Sequence, residues 1–415
     1  MKKYGCIGKN LTHSFSKEIH ARLADYEYEL IELTEEEIQS FFAKKEFEAI
    51  NVTIPYKETV IPYLDSVSQI AQRIGAVNTI VNKDGKLNGY NTDYYGMKAL
   101  IERVGVELNA KKVLVLGTGG TSKTARVVAT DMGASEVLVV SRRKTDEYIT
   151  YEEAMALHSD ADVIINTTPS GMYPDCESKP IDIAVFERLA GVIDAVYNPL
   201  CSNLVLDSKQ RGVKAEGGLY MLVMQAVVAV EKFLDTEIEK EVADRVFASV
   251  LSAKENVVLT GMPGSGKSTV GKRINIDGYT FIDTDAEIEK RCGCTIKELI
   301  AAKGEKYFRD LETEVIRDVS SESCRIISTG GGAILREENV RALKRNGKLF
   351  FINAELSRLR ATDDRPLSDT GDKLVKLYNE RISIYQATAD VVVPDRTTPE
   401  AEAKYIFEKR MELIR

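Results

Sequence analysis

Two stretches decide how this chain folds: Val113-Leu114-Val115-Leu116-Gly117-Thr118-Gly119-Gly120-Thr121, and Val257-Val258-Leu259-Thr260-Gly261-Met262-Pro263-Gly264-Ser265-Gly266-Lys267-Ser268. Each is a short apolar run of strand length that breaks into glycine. The first is the tight strand-to-helix turn that seats a dinucleotide pyrophosphate on a helix N-terminus, although Ser122 stands where a third glycine is usual. The second is a full G-x-x-x-x-G-K-S loop. Its backbone N–H groups can wrap a triphosphate, with Lys267 on the outer phosphates and Ser268 on Mg²⁺. One loop suits a hydride carrier and the other a phosphoryl donor, so the chain reads as two enzymes in one.

Working outward, 415 residues suit two or three domains, and 44% apolar with 29% charged residues is a globular balance. The net charge of −8 argues against a nucleic-acid or anionic-membrane surface and leaves local basic pockets for anionic substrates. The start, MKKYGCIGKNLTHSFS, has no long apolar stretch and does not read as a signal peptide; no apolar run of about 18 residues occurs. Cysteines 6, 176, 201, 292, 294 and 324 are scattered. With three histidines and no second Cys pair, Cys292-Gly-Cys294 reads as ordinary thiols rather than a metal half-site, and a reduced cytoplasm is the expected compartment.

Strands are expected at 4–8, 47–54 and 77–82, with helices near 16–25 and 35–45, and this alternation predicts a mostly parallel sheet. A Rossmann-like unit follows over about 110–215, with strands at 112–116, 136–141, 162–166 and 191–196. Helices are expected at 219–234 and 236–251. The last unit, 255–415, has strands at 257–260, 279–282, 325–328, 348–352 and 390–393. The absence of a Gly/Ser or Pro-rich spacer predicts close packing of the two halves. The fold class is α/β throughout.

In the first half, the second Rossmann strand ends in Ser141-Arg142-Arg143, where an NAD-type fold places an acidic residue for the ribose 2′-hydroxyl. Guanidinium suits a 2′-phosphate, so NADP(H) is expected. Upstream lie His13-Ser14-Phe15-Ser16, Asn51-Val52-Thr53-Ile54-Pro55-Tyr56-Lys57, Gly75-Ala76-Val77-Asn78-Thr79 and Asn91-Thr92-Asp93: hydroxyls, carboxamides, a lysine and an aspartate for a polyhydroxylated ligand. Together with YNPL and GGLYMLVMQA, these motifs make residues 1–250 resemble shikimate dehydrogenase, with Lys17 departing from the family's usual proline. The resemblance implies Lys57 as catalytic lysine with Asp93 as its carboxylate partner. It implies Ser14, Ser16, Thr53, Lys57, Asn78, Asp93, Tyr197 and Gln225 as the substrate set. For NADP it adds Ala195 and Gly218 to the loop residues Gly117, Thr118, Gly119, Gly120 and Thr121 and to Ser141, Arg142 and Arg143.

In the second half, Phe281-Ile282-Asp283-Thr284-Asp285 ends a strand, which predicts both aspartates near the phosphates on alternating sides. Arg309 lies in GEKYFRDLE, Ser328-Thr329-Gly330-Gly331-Gly332 is a turn open to a ligand, and Arg381 lies in ERISIY. Asp364-Arg365-Pro366-Leu367 occupies a polar stretch suited to a lid. This set resembles shikimate kinase over 255–415, with RPLSD in place of the commoner RPLL. The resemblance implies Asp283 beside Ser268 as metal residues. It makes Asp285 the residue that contacts the acceptor hydroxyl and takes its proton, and gives Arg309, Gly331 and Arg381, with Asp285, the acceptor. ATP falls to Gly264, Ser265, Gly266, Lys267, Ser268, Thr269, Arg365 and Arg396, with Arg360 as a second lid arginine.

The resulting domain assignment is a substrate domain from 1–97 and 220–252, a Rossmann-like NADP-binding domain at 98–219, and a P-loop kinase domain with a parallel sheet at 255–415. The expected function is reduction of 3-dehydroshikimate with NADPH and then phosphorylation of shikimate with Mg·ATP, acting on small molecules with no nucleic-acid or membrane partner. Two other readings compete. A quinate-type NAD dehydrogenase fused to another small-acid kinase would call for an acidic residue where Arg142 stands. A ligand-sensing regulator without turnover would call for loss of Lys57, Asp93, Lys267 or Asp285, and all four are present.

Overall fold

The computed structural model describes residues 3–9, 11, 15–359, 371–395 and 398–414. The chain forms two compact units, Met1–Val250 and Leu251–Arg415.

Among the described residues, the first unit holds two six-stranded sheets. The N-terminal sheet comprises β1 (Tyr4–Gly8), β2 (Tyr28–Glu32), β3 (Ala49–Val52), β4 (Ser66–Val67), β5 (Thr79–Lys83) and β6 (Lys86–Tyr90), in the order β2-β1-β3-β5-β6-β4. Its pairs β1–β2, β1–β3 and β4–β6 are parallel, as expected, while β5 runs antiparallel to both β3 and β6. The cause is local. Asp84 (φ 53°) and Gly85 (φ 82°) both adopt left-handed backbone, the geometry of a two-residue hairpin turn, so the chain doubles back directly. The other sheet comprises β7 (Lys112–Leu116), β8 (Glu136–Ser141), β9 (Tyr148–Thr150), β10 (Val163–Asn166), β11 (Gly191–Asp194) and β12 (Lys214–Glu216). All its pairs are parallel, in the order β12-β11-β10-β7-β8-β9. The central strands β7 and β10 are almost wholly buried, as their unbroken Val/Ile/Leu runs require of a sheet covered on both faces. Strand order reverses between β7 and β10, which opens a crevice at their C-terminal ends.

Helices Asp93–Val104 and Leu219–Leu234 pack against each other. Gly96 allows their close approach, since a Cβ there would lie 2.5 Å from the Met221 carbonyl oxygen. The helix expected at 236–251 starts later, at Lys240, because Asp235 (φ 52°) ends the preceding helix in a left-handed turn.

Among the described residues, the second unit has one parallel sheet of β13 (Asn256–Thr260), β14 (Thr280–Asp283), β15 (Arg325–Ser328), β16 (Gly347–Asn353) and β17 (Val391–Pro394), ordered β14-β15-β13-β16-β17. Val257, Leu259, Phe350 and Ile352 form part of one core layer, and Val258, Ile327 and Leu349 part of another. The loop after central β13 therefore starts from a rigid strand. Among the described residues, no helix is long and apolar enough to cross a membrane.

Candidate active sites

In the first unit, the segment after β3 carries Thr53 and Lys57. Gly8 gives Thr53 its place, since a Cβ on Gly8 would come within 2.4 Å of Thr53 Cγ2. Lys57 Nζ donates to Asp93 Oδ2 at 2.6 Å, and the two side chains are only 15% and 10% exposed. Asp93 opens the helix Asp93–Val104, where a carboxylate is favoured by the unpaired N–H groups.

Asn78 sets that helix start. Its Oδ1 accepts from the Thr92 backbone N–H at 2.7 Å, and its Nδ2 donates to Thr92 Oγ1 at 3.0 Å. Thr92 Oγ1 in turn donates to Gln225 Oε1 at 3.4 Å. Asn78 and Gln225, expected as ligand groups, thus also belong to the scaffold that fixes Asp93. Asn51 extends it, donating to Thr79 Oγ1 at 3.1 Å and accepting from Tyr28 Oη at 2.7 Å.

The glycine turn after β7 comes directly to this pair. A Cβ built on Gly120 would lie 3.7 Å from Lys57 Cδ. Lys123, one turn into the following helix, pairs with Glu58 at 2.8 Å, and Arg73 clamps Asp131 at the helix's far end with both terminal nitrogens. Gly117 needs its left-handed backbone (φ 103°). Ser122, in place of the third glycine, is 2% exposed, so a small residue meets the same close helix-to-strand contact. Thr118 and Thr121 flank the turn at the surface edge.

Ala195 and Gly218 adjoin, for a Cβ on Gly218 would fall 2.3 Å from the Ala195 carbonyl oxygen. Sequence reasoning missed what holds them. Asp194, fully buried, accepts from Asn166 Nδ2 (2.9 Å), the Val196 N–H (3.0 Å) and Ser202 Oγ (2.5 Å). Burial nonetheless pushes its carboxyl up to about 6. The signal available was an acidic residue ending an otherwise apolar strand.

Tyr197 packs edge-on to Phe15 at 5.2 Å, and burial raises its phenol above the usual range. Ser16 starts the helix Ser16–Leu23. Ser14 lies outside the described residues. Ser141 Oγ accepts from the Arg143 N–H at 3.2 Å, while Arg142 and Arg143 project exposed beyond β8. A glycine cradle at a helix start and exposed guanidinium groups past the next strand fit a phosphorylated dinucleotide.

In the second unit, Gly264 (φ 81°) and Gly266 (φ 90°) give the loop its left-handed turns. Lys267 is buried, with Nζ donating to the Gly261 and Met262 carbonyls at 2.9 and 3.0 Å. Ser265 is buried beside it and Thr269 is exposed on the following turn. Ser268 Oγ donates to Asp283 Oδ2 at 2.5 Å, while Asp283 Oδ1 accepts from the N–H groups of Asp285 and Ala286. A hydroxyl and a fixed carboxylate are hard oxygen donors that fit Mg²⁺ shared with phosphates.

The expectation that Asp283 and Asp285 alternate along a strand is corrected. Thr284 already begins the helix Thr284–Cys292 with Asp283 as its cap, so Asp285 is aimed by a helical turn. That turn brings its carboxyl under Gly330, where a Cβ would lie 2.6 Å from Asp285 Oδ1 and 2.8 Å from Glu312 Oε1. Part of the residue reaches the surface, but the carboxyl is pushed up to about 6, first by burial and then by Asp283 and Glu312, against the pull of Lys267 and Arg309.

The three glycines form a hub. Gly332 faces Arg309, and a Cβ on Gly331 would lie 2.8 Å from Pro263 of the phosphate loop. Arg381 donates to the Gly331 carbonyl at 3.0 Å, and so does Tyr385 Oη. Arg309 is held by Glu312 at 2.7 Å and Glu305 at 3.4 Å. Glu312 and Tyr385, both buried, were not singled out from the sequence; their spacing from Arg309 and Arg381 along one helix face was the available signal. Arg360, Arg365 and Arg396 lie outside the described residues.

Comparison with known proteins divides the chain the same way. A family model of the shikimate dehydrogenase substrate-binding domain matches residues 6–80, and one of shikimate kinase matches residues 263–411. An NADP⁺ shikimate dehydrogenase of Clostridium perfringens is 36% identical over 275 residues, covering 60% of this chain and 97% of that protein. The corresponding protein of Geobacillus kaustophilus is 38% identical over 257 residues, 56% of this chain and 92% of its own. Among solved structures, shikimate dehydrogenase 1 of Peptoclostridium difficile matches with TM-score 0.56 at 34% identity, over 60% of this chain and 98% of that one. A chorismate mutase/shikimate 5-dehydrogenase fusion from Clostridium acetobutylicum matches with TM-score 0.57 at 34% identity, over 60% and 97%. With the lysine–aspartate pair against one glycine turn and the arginine–aspartate hub against the other, the chain belongs over its N-terminal three fifths to the shikimate dehydrogenase family and carries a shikimate kinase domain behind it.

Proposed function

We infer that the chain carries out two consecutive steps of the shikimate pathway: reduction of 3-dehydroshikimate to shikimate, then phosphorylation of shikimate to shikimate 3-phosphate. The observation that carries this reading is that each nucleotide loop adjoins acceptor residues of its own, Lys57 and Asp93 at one and Asp285, Arg309 and Arg381 at the other.

In the first step, bound NADPH supplies hydride to the ring ketone. The Lys57 ammonium gives its proton to the oxygen as charge develops there, and Asp93 keeps Nζ aimed at it. Ser14, Ser16, Thr53, Asn78, Tyr197 and Gln225 orient the ring and its carboxylate. Gly117–Thr121 cradle the pyrophosphate, Arg142 and Arg143 hold the 2′-phosphate, and Ala195 and Gly218 border the nicotinamide.

In the second step, Mg·ATP supplies the phosphoryl group. Gly264–Thr269 wrap the phosphates, Lys267 neutralises the outer oxygens, and Ser268 with Asp283 holds the metal. Arg309 and Arg381 clamp the acceptor carboxylate beside Gly331. Asp285, with a carboxyl near 6, is ionised at neutral pH and takes the proton of the attacking hydroxyl. Arg365 and Arg396 serve ATP, with Arg360 as a second lid arginine. The free cysteines favour a reducing cytoplasm as the compartment of both reactions.

The test is a one-pot assay of the intact chain with 3-dehydroshikimate, NADPH, ATP and Mg²⁺, which is expected to yield shikimate 3-phosphate. Lys57→Ala is expected to slow NADPH oxidation by ~10²–10⁴ while phosphorylation of added shikimate continues. Loss of both activities in a folded Lys57→Ala chain would refute independent sites.

A further inference from the structure

Cys292-Gly293-Cys294 takes no part in either reaction. It forms the joint between the helix Thr284–Cys292, which carries Asp285, and the helix Ile296–Ser321, which carries Arg309 and Glu312. Gly293 caps the first helix in left-handed backbone (φ 69°), and that turn throws both cysteine side chains to the same side. Their sulfurs are 3.4 Å apart, with the Cys294 thiol donating to Cys292 Sγ.

The inner faces of both thiols rest on the core around Ile288, Leu299 and Phe308. Their outer faces lie between exposed Gly293 and exposed Thr295, within reach of solutes. Cys6 and Cys176, by contrast, are buried. Among the described residues no group of three or more His, Cys, Asp or Glu side chains converges, so the pair lacks the further ligands a tetrahedral zinc site needs. What remains is a preformed dithiol.

We propose that Cys292 and Cys294 form a reversible dithiol–disulfide couple, oxidised by small-molecule disulfides such as glutathione disulfide. The sulfurs need to close by only about 1.3 Å to reach the ~2.05 Å of a covalent bond. The Cys292 thiol donates to the Cys294 carbonyl at 3.2 Å, and the Cys294 thiol aims its hydrogen at Cys292 Sγ, where it steadies a Cys292 thiolate once that proton leaves, so Cys292 is the sulfur that attacks first.

The Cys292 thiolate attacks one sulfur of glutathione disulfide and expels one glutathione thiolate, leaving a mixed disulfide on Cys292. Cys294 then loses its proton to solvent and attacks Cys292 Sγ, which breaks the mixed bond and expels the second glutathione thiolate. Two protein thiols give up two electrons, and one external disulfide becomes two thiols. A reducing cell holds the pair as thiols, and oxidising stress closes it.

The experiment incubates the reduced full chain with glutathione disulfide under native conditions, quenches with acid, alkylates with N-ethylmaleimide and maps tryptic peptides by mass. The peptide spanning 292–297 is expected two hydrogens lighter than its dithiol form, without maleimide or glutathione, and dithiothreitol is expected to restore it. In Cys294→Ser a glutathione adduct is expected to persist on Cys292, because nothing can resolve it; Cys292→Ser provides the reciprocal trap if that variant fails to fold. A wild-type peptide that carries two maleimides, keeps a standing glutathione adduct, or is cross-linked to another cysteine overturns the proposal.

Discussion

Replacing Asp285 by Asn is expected to stabilise the kinase unit while disabling it. The folded carboxyl sits near 6, above its ordinary value of 3.8, because burial, Asp283 and Glu312 outweigh Lys267 and Arg309. A carboxyl whose folded value is raised favours the protonated form in the fold. Stability is therefore fullest below about pH 4 as far as this group is concerned, and is lost as pH rises through about 6. A rise of about two units corresponds to about 3 kcal/mol, and discounting for the part of the residue that water reaches leaves on the order of 1–3 kcal/mol at pH 7. Asparagine keeps the shape without the charge and removes that penalty. Urea unfolding of the full chain at pH 7 and pH 5, with the kinase transition identified by its shift on adding Mg·ATP, measures the difference. Asp285→Asn is expected to exceed wild type at pH 7 and to do so by a clearly smaller margin at pH 5, while shikimate phosphorylation falls by ~10²–10⁴ and NADPH oxidation is unchanged. A variant less stable than wild type at pH 7, or one with an equal advantage at both pH values, would refute the assignment of an ionised carboxylate strained by its neighbours.

Arg142→Ala is expected to weaken NADPH by ~1.5–3 kcal/mol in KM and leave NADH nearly untouched; equal losses for both cofactors would return the arginine to the solvent-exposed surface. Gly218→Ala drives a methyl group to within 2.3 Å of the Ala195 carbonyl, so NADPH oxidation is expected to fall sharply while kinase activity stays at wild-type level in the same preparation. His20, fully buried and hydrogen-bonded through Nδ1 to Tyr26 Oη at 2.7 Å, has its imidazolium pushed down from 6.5 to about 3 by burial. The stability it contributes is present above pH 6.5 and is lost as pH falls towards 3, so His20→Gln is expected to flatten the acid limb of the first unit's unfolding curve. An unchanged limb would count against the buried neutral ring.

The sequence alone determined the elements whose signals are local. An unbroken Val/Ile/Leu run ending in glycine can be little else than a buried parallel strand feeding a phosphate turn, and β7 and β13 stand where those runs predict. Lys57, Asp93, Asp285, Arg309 and Arg381 were singled out as members of fixed motifs whose resemblance to two families supplied their roles. Short or half-exposed elements were not: β2, β9 and β12 have too few apolar positions to show a period, and their pairing is supplied by neighbouring strands. The antiparallel turn at Asp84-Gly85 carried a local signal that strand–helix alternation masked. Only the tertiary structure decided contacts between segments far apart in the chain. Gly120 against Lys57, Asn78 holding the Asp93 helix, Asp194 fixing Ala195, and Glu312 with Tyr385 locking the glycine hub all join residues brought together by packing. A sequence records which groups a chain owns. The distance between two of them, and the charge each keeps at that distance, follow from how the sheets and helices bury their apolar faces.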